Sequence, residues 1–217
     1  MIPENPKDTV RAGYDLLSHA YRDDAGTDCG KYLEWVEELR PHLRPGSEVL
    51  ELGCGCGIPV AREMAKTHPY IGVDLSPVQI ERARKLAPSA KFLCGDMAEL
   101  GFPDQSFGAV LCLYAIIHLP LAEQKPLLVR IHQWLETKGW LMVIVGWGAW
   151  TGTARDWLGV KDATMYWSHT DFETYRAWLA ETGFTVHSHR FVPEGEGGHY
   201  LLLAQKAVGS PRSTVRG

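Results

Sequence analysis

The apolar positions of the chain change their spacing near residue 48. Before that point they form two stripes: Val10, Tyr14, Leu17 and Tyr21, followed by Tyr32, Val36, Leu39 and Leu43. A repeat of three to four residues is typical of one face of an amphipathic helix. Residues 1–45 are therefore predicted to form a helical cap.

Seven short apolar runs follow, with the length and composition of β-strands. They cover residues 48–52, 70–75, 91–94, 108–113, 140–145, 184–192 and 200–205. Helical patterns alternate with the first five runs, whereas a short glycine-rich segment separates the last two. This order predicts an α/β fold, in which a doubly wound, mostly parallel sheet of seven strands ends in an antiparallel hairpin.

Helix ends between these strands carry local signals. Pro59 is expected near the start of one helix, where its missing N–H has no cost. Ser76-Pro77-Val78-Gln79 is a capping box, which predicts that a helix begins there. Gly183 is expected to end the helix over residues 171–182.

A glycine-rich loop, Gly53-Cys54-Gly55-Cys56-Gly57, follows the first predicted strand, and Glu51 precedes it. Alternating glycines let the backbone turn sharply and let a ligand approach closely. The second strand ends in Asp74, at a spacing where an acid commonly holds ribose hydroxyls. The third ends in Asp96, where a carboxylate can meet an adenine amino group. These strand ends are therefore predicted to bind a nucleoside-containing cofactor.

Two cofactor classes compete for this loop. A dinucleotide site normally has the pattern Gly-x-Gly-x-x-Gly, which requires glycine where this chain has Ile58. Glu51 would also repel a pyrophosphate, because like charges ~4 Å apart repel by about 1 kcal/mol in water and about 4 kcal/mol at an effective dielectric constant of about 20. The same carboxylate attracts an ammonium and a sulfonium. The electrostatics favour S-adenosylmethionine over NAD.

The motifs resemble those of class I S-adenosylmethionine-dependent methyltransferases of the small-molecule type. The matching segments are residues 51–57, 71–76, 95–97 and 111–118, and the likeness spans roughly residues 45–205. The resemblance implies a Rossmann-like sheet with strand order 3-2-1-4-5-7-6. It also implies transfer of a methyl group to an O-, N- or C-nucleophile of a small molecule, with S-adenosylhomocysteine as the cofactor product.

The resemblance also implies which residues bind the cofactor. Glu51 and the loop glycines would hold the methionine part, Asp74 the ribose, and Asp96 the adenine. The N-terminal tyrosines would close over the cofactor, or else they only pack within their helix stripe. The full implied set is Tyr14, Tyr21, Glu51, Gly53, Gly55, Gly57, Asp74, Leu75, Gln79, Asp96, Met97 and Leu113.

An aromatic segment, residues 147–169, follows the fifth strand and is expected to be a lid-like insertion. Trp147, Trp150, Tyr166 and Trp167 are its predicted substrate-binding residues. Aromatic rings of this kind grip flat or cationic molecules. The alternative is that the insertion packs on itself and on the rim of the site.

Two histidines are candidates for a catalytic base, because a neutral imidazole can take the proton that a hydroxyl or an amine loses. His118 follows the fourth strand, and His169 precedes a helix. The alternative for each is a structural role, as a cap or a brace for a loop.

Composition narrows the function further. The formal net charge of −4 argues against a nucleic-acid partner. No apolar run approaches the ~20 residues of a membrane span. Five cysteines, an odd number in a chain of this length, favour a reducing cytoplasm. Cys54 and Cys56 lack the two further ligands of a structural zinc site, so no metal is expected.

Residues 1–207 are predicted to form one domain, and residues 208–217 a disordered polar tail. The sequence does not indicate an oligomeric state. Two other functions stay open at this level. One is a nicotinamide-dependent oxidoreductase, and the other is a catalytically silent partner protein with the same fold. The intact glycines and acids favour the methyltransferase over both.

Overall fold

A computed structural model describes residues 5–27 and 29–208 of the chain. Its helices are α1 Pro6–Tyr21, α2 Gly30–Leu39, α3 Val60–Met64, α4 Pro77–Leu86, α5 Leu121–Trp134 and α6 Phe172–Glu181. Its strands are β1 Val49–Leu52, β2 Tyr70–Asp74, β3 Lys91–Cys94, β4 Phe107–Cys112, β5 Leu135–Gly146, β6 Trp150–Ala154, β7 Met165–His169, β8 Phe184–Glu194 and β9 Gly197–Lys206. Apart from Val208, the predicted tail lies outside the described residues.

Seven strands form one sheet with the order β3-β2-β1-β4-β5-β9-β8. Strands β1 to β5 are parallel, and β9 runs antiparallel to both β5 and β8. Glu51 in β1 pairs with Gly72 in β2 and with Leu111 in β4, so the ends of these strands meet at one edge. The predicted fold, with its C-terminal hairpin, is confirmed.

Both faces of the sheet are covered by helices. On one face Leu50 and Val110 pack in a cluster that includes residues of α5 and α6. On the other face Val49 and Leu111 pack with residues of α2, α3 and α4. Because β1 and β4 are buried on both faces, they consist almost entirely of apolar residues, and Glu51 is the one charged residue in these two strands. Glu51 is therefore a buried acid among apolar residues.

The predicted helix ends are also observed. The Ser76 side chain accepts a hydrogen bond from the Gln79 backbone N–H at 3.1 Å, which caps α4. The Asp171 carboxylate caps α6 by accepting from the Thr174 N–H at 2.9 Å. Gly183 has a φ of 92° just after α6, a backbone conformation that favours glycine.

Two regions differ from the sequence prediction. Strand β5 begins at Leu135, not at residue 140, because Leu135 already pairs with Phe107 before an irregularity near Lys138, whose φ is 63°. The segment after β5 folds into a separate two-stranded hairpin, β6–β7, in which Trp150 pairs with His169. No helix in the described part of the chain has the length and apolar character needed to cross a membrane.

Candidate active site

A first cavity lies at the carboxyl ends of β1 to β4, beneath α1. It has a volume of about 700 Å³ including its mouth, which is within the usual range for a small-molecule site. Most residues predicted to bind a cofactor line it: Tyr14, Tyr21, Gly53, Gly55, Asp74, Leu75, Gln79, Asp96, Met97 and Leu113. The structure therefore brings this predicted set together at one place.

The three loop glycines have different surroundings. A Cβ on Gly53 would lie 2.2 Å from the Ala115 Cβ, so only glycine fits there. Gly55 has a φ of 53° and faces open space, which leaves its backbone accessible to a ligand. Gly57 instead faces Phe92 and Ala83 at 3.2 and 3.3 Å. Because Gly57 is a packing position, its predicted contact with a cofactor is not supported by its surroundings.

Asp74 joins the glycine loop to the start of α4. One carboxylate oxygen accepts from the Gly55 N–H at 2.8 Å, and the other accepts from the Ser76 N–H at 2.9 Å. Burial raises the pKa of Asp74 to about 6, although these backbone donors oppose the shift. A desolvated acid on the wall of a cavity is a strong candidate for ligand binding.

Glu51 lies beside the first cavity and lines a smaller, third cavity of about 390 Å³ with Arg22 and Cys54. The two cavities share Gly53 and Gly55. The Tyr70 hydroxyl donates to the Glu51 carboxylate at 2.5 Å. Burial raises the pKa of Glu51 to about 8. An ammonium group in the third cavity would meet this acid and favour its ionised form.

Asp96 has a partner that the sequence analysis missed. Lys7 Nζ lies 2.5 Å from the Asp96 carboxylate and 2.9 Å from that of Glu123. Burial lowers the pKa of Lys7, but the hydrogen bonds to Asp96 and Glu123 raise it to about 12 overall. These contacts fix the start of α1 beside Asp96, at the edge of the first cavity. Nothing in the pattern around Lys7 indicates such a contact.

A second cavity, of about 690 Å³, opens beside the first. The two share Tyr14, Tyr21, Tyr114 and His118. The other residues of the second cavity come from distant parts of the chain: Arg22, Lys31, Tyr32, Ile117, Trp157, Trp167, Glu194 and His199. Six of its residues are tyrosine or tryptophan, so its walls are largely aromatic.

Tyr14 and His118 form a hydrogen-bonded pair between the two cavities. His118 Nδ1 lies 2.7 Å from the Tyr166 carbonyl oxygen, which only accepts, so Nδ1 carries the proton. The Tyr14 hydroxyl lies 2.9 Å from His118 Nε2 and donates to it. Burial lowers the pKa of His118 to about 4, so the ring is neutral at physiological pH. The pair leaves lone pairs of the Tyr14 oxygen to accept a further hydrogen bond.

His169 has a different environment from the one predicted for a base. Its Nδ1 donates to the Gly148 carbonyl at 2.5 Å, and its ring fills the space where a Cβ on Gly146 would lie. Among the described residues, His169 is not part of the lining of either large cavity. These contacts indicate that His169 braces the start of the β6–β7 hairpin. Of the two predicted histidines, His118 is the one that lines the cavities.

Of the four aromatic residues predicted to bind substrate, one lines the second cavity and three do not. Trp167 lines the second cavity, together with Trp157. Tyr166 is instead buried in a cluster with Val10 and Leu17 beneath α1. Trp147 and Trp150 lie on the outside, with side chains 53% and 49% exposed. Trp147 packs against Phe191, and Trp150 covers Gly152. Because side chains alternate along a strand, Tyr166 and Trp167 of β7 face opposite sides, and of these two Trp167 lines the second cavity.

Among the residues that the structure describes, Glu194 is the one acid in the lining of the second cavity. It accepts hydrogen bonds from the Tyr114 hydroxyl, from His199 Nδ1 at 3.1 Å and from Lys31 Nζ at 3.2 Å. Burial raises the pKa of Glu194, but His199 and Tyr114 outweigh it and hold the pKa at about 2. The described residues include no group of three or more His, Cys, Asp or Glu placed to hold a metal ion.

Comparisons with known proteins agree with this architecture. A family model described as a methyltransferase domain matches residues 49–139. Over 127 residues the chain is 38% identical to a sterol 24-C-methyltransferase of Gibberella zeae; this covers 54% of the chain and 33% of that protein. The chain thus spans about a third of the length of this curated relative.

Two solved structures show the same fold. Magnesium protoporphyrin IX methyltransferase from Synechocystis, with bound S-adenosylmethionine, has a TM-score of 0.70 at 16% identity, covering 94% of this chain and 99% of that one. The cyclase SpnF has a TM-score of 0.71 at 19% identity, covering 92% and 95%. The chain therefore shares the fold of these proteins, and its residues 49–139 are similar to a methyltransferase domain.

Proposed function

We propose that the chain is an S-adenosylmethionine-dependent methyltransferase that acts on a small-molecule acceptor. The observation that carries the proposal is the junction of two cavities at Tyr14 and His118. One cavity is framed by glycines and acids, and the other by aromatic rings. A cofactor in the first would present its reactive end to an acceptor in the second.

The residues of the first and third cavities fit this cofactor. We expect Asp74 to hold the ribose hydroxyls, and Asp96 with Met97 to hold the adenine. Glu51 in the third cavity matches the ammonium of the methionine end. Gly55 leaves room for close approach of the ligand, because no atom lies within 4 Å of a Cβ built on it. When bound, S-adenosylmethionine supplies a methyl group on a sulfonium, a strongly activated electrophile.

The chain itself contributes alignment and a path for a proton. Holding the acceptor in line with the breaking bond supplies much of the acceleration. An acceptor that must lose a proton gives it to the Tyr14 oxygen, while the Tyr14 proton moves to His118 Nε2. The Tyr166 carbonyl holds the resulting imidazolium through Nδ1. An acceptor that is already a free nucleophile needs only the alignment.

Other functions have less support. Ile58 stands where a dinucleotide-binding loop normally has glycine, which disfavours the nicotinamide-dependent oxidoreductase. The cyclase SpnF shares the fold, so the fold by itself does not establish methyl transfer. A silent partner protein has no use for a paired Tyr14 and His118 between two cavities.

Several finer predictions accompany the proposal. Residues 147–169, now seen to include the β6–β7 hairpin, are expected to act as a lid over the acceptor. Protease susceptibility of this segment should then fall when ligands bind. We keep the predictions of a cytoplasmic location, of no nucleic-acid partner and of no metal requirement. None of the five cysteines is in a disulfide, which fits a reducing compartment.

Calorimetry with S-adenosylhomocysteine, S-adenosylmethionine and NADH tests the proposal. Both adenosyl ligands should bind, and Asp74→Ala should weaken each by roughly 1.5–3 kcal/mol, the range for hydrogen bonds to a charged group. Asp104→Ala, at an exposed acid remote from the cavities, is the matched control. Binding of NADH without either adenosyl ligand would move the assignment to the oxidoreductase.

A further inference from the structure

His199 of β9 lines the second cavity and takes no part in the proton path through Tyr14 and His118. Its side chain is 17% exposed, and its ring centre lies 5.4 Å from that of Tyr114, with the two rings at 81°. The imidazole is thus packed against a residue that both large cavities share. A histidine held in this way in the wall of a cavity is a candidate for contact with a ligand.

Glu194 determines which ring nitrogen of His199 carries the proton. Its Oε1 accepts from Lys31 Nζ at 3.2 Å and from the Tyr114 hydroxyl, and its Oε2 lies 3.1 Å from Nδ1 of the histidine. Burial raises the pKa of Glu194, but His199 and Tyr114 hold it at about 2, so the carboxylate is ionised and only accepts. The Nδ1 atom of His199 is therefore the one that carries the proton.

The other ring nitrogen, His199 Nε2, is an open acceptor. In a neutral imidazole with its proton on Nδ1, Nε2 only accepts hydrogen bonds. Within the part of the chain that the structure describes, Nε2 has no partner. Every buried side-chain nitrogen and oxygen of those same residues does have one, so Nε2 is reached by solvent. A molecule in the second cavity can therefore donate to it.

We propose that the acceptor carries a hydroxyl or N–H group that donates a hydrogen bond to His199 Nε2. Glu194 is a positioning residue for this contact, because its carboxylate keeps the ring proton on Nδ1. An acceptor that presents only an ether or carbonyl oxygen at this point binds less tightly, because two lone pairs would face each other. This inference rests on the proposed function, because it takes the second cavity as the acceptor site.

Glu194→Gln should reverse the hydrogen-bonding character of His199 with little change in shape. Lys31 Nζ only donates, so it keeps the amide oxygen at the position of Oε1. The amide NH2 then faces Nδ1 of the histidine and donates to it, which moves the ring proton to Nε2. Heteronuclear NMR of the histidine rings at about pH 8, above the ordinary histidine pKa near 6.5, locates this proton. We expect it on Nδ1 in the wild-type chain and on Nε2 in the variant.

Two flat probes of one shape test the contact. The hydroxyl of 2-naphthol donates, whereas the oxygen of isoquinoline N-oxide lies at the same position and only accepts, and both probes are uncharged at about pH 8. Trp157 and Trp167 line the cavity, so a flat bicyclic ring suits it. Calorimetry on the full chain saturated with S-adenosylhomocysteine gives both dissociation constants. The preference for naphthol should fall at least about tenfold in Glu194→Gln, because one hydrogen bond is lost and the opposite one is gained.

Two further variants separate this contact from general changes in the β8–β9 hairpin. His199→Phe keeps a flat ring but removes both nitrogens, so the preference for naphthol should fall by about threefold to tenfold. His189→Phe is the matched control. Because His189 is an exposed residue of β8 that packs against Phe172, its replacement should leave the preference unchanged.

Each outcome decides between the claims. Transfer of the ring proton to Nε2 in Glu194→Gln, with a lower preference for naphthol in that variant and in His199→Phe, supports a donor group on the acceptor. A wild-type proton on Nε2, an unchanged preference in both variants, or binding of neither probe would overturn it, while binding of S-adenosylhomocysteine leaves the methyltransferase proposal standing. Failure of S-adenosylhomocysteine to bind the wild-type chain would end both.

Discussion

The two cavities differ in how the chain builds them. Much of the first cavity comes from three short segments, 53–55, 73–79 and 95–97, which follow neighbouring strands of one sheet, and α1 and the loop after β4 complete it. The second collects side chains from α1, α2, the loop after β4, the β6–β7 region and the β8–β9 hairpin. The strand-end part of the first cavity thus depends on local sequence, whereas the second cavity depends mainly on tertiary contacts. We expect the same division to separate cofactor binding from catalysis.

The largest effect is expected at the junction of the two cavities. Tyr14→Phe and His118→Asn should each lower single-turnover methyl transfer by about 10²–10⁴-fold with an acceptor that must lose a proton. Affinity for S-adenosylhomocysteine should change far less. His169→Asn is the control variant. It should keep a near wild-type rate, because His169 contacts the hairpin and not the cavities.

The pH dependence of the same reaction follows from His118. A base whose pKa is lowered to about 4 is already neutral well below neutral pH. The rate should rise with pH only near that value and stay level from about pH 5.5 to about pH 9. A wild-type rate that rises through an ordinary histidine pKa, near 6.5, would show that another group is the base.

The next effect concerns the stability of the glycine loop. Gly53→Ala should lower the free energy of unfolding by about 2 kcal/mol or more, because its φ is 76° and the new methyl would strike Ala115. Gly148→Ala, which has open space around it, should change stability by less than about 0.5 kcal/mol. Denaturant unfolding measures both. Equal losses in the two variants would contradict the close approach at Gly53.

A smaller effect links cofactor binding to a proton. Because burial raises the pKa of Glu51 to about 8, its neutral form dominates at pH 7 without ligand. An ammonium in the third cavity lowers that pKa, so binding should release up to about one proton at neutral pH. Affinity should rise with pH up to about 8 and then level off. Calorimetry in buffers of different ionisation enthalpy measures the release, and Glu51→Gln should abolish the part that depends on Glu51.

The sequence predicts the features that depend on local patterns better than those that depend on distant partners. Strand order, helix caps and the residues around Asp74 are predictable because they depend on short patterns and on the geometry of parallel sheets. Lys7, Lys31 and Glu194 are not, because each gains its role from a partner far along the chain. The aromatic insertion, residues 147–169, is predictable in part. Its composition indicated a ligand site, but the β6–β7 pairing decides which rings face the second cavity.

The central claim is that the first cavity holds the cofactor and presents its sulfur to the second at Tyr14 and His118. A crystal structure of the full chain with S-adenosylhomocysteine tests it most directly. We expect ribose hydroxyls on the Asp74 carboxylate, the ammonium at Glu51, and the sulfur facing the second cavity. A ligand bound elsewhere, or a sulfur facing away from Tyr14 and His118, would contradict it.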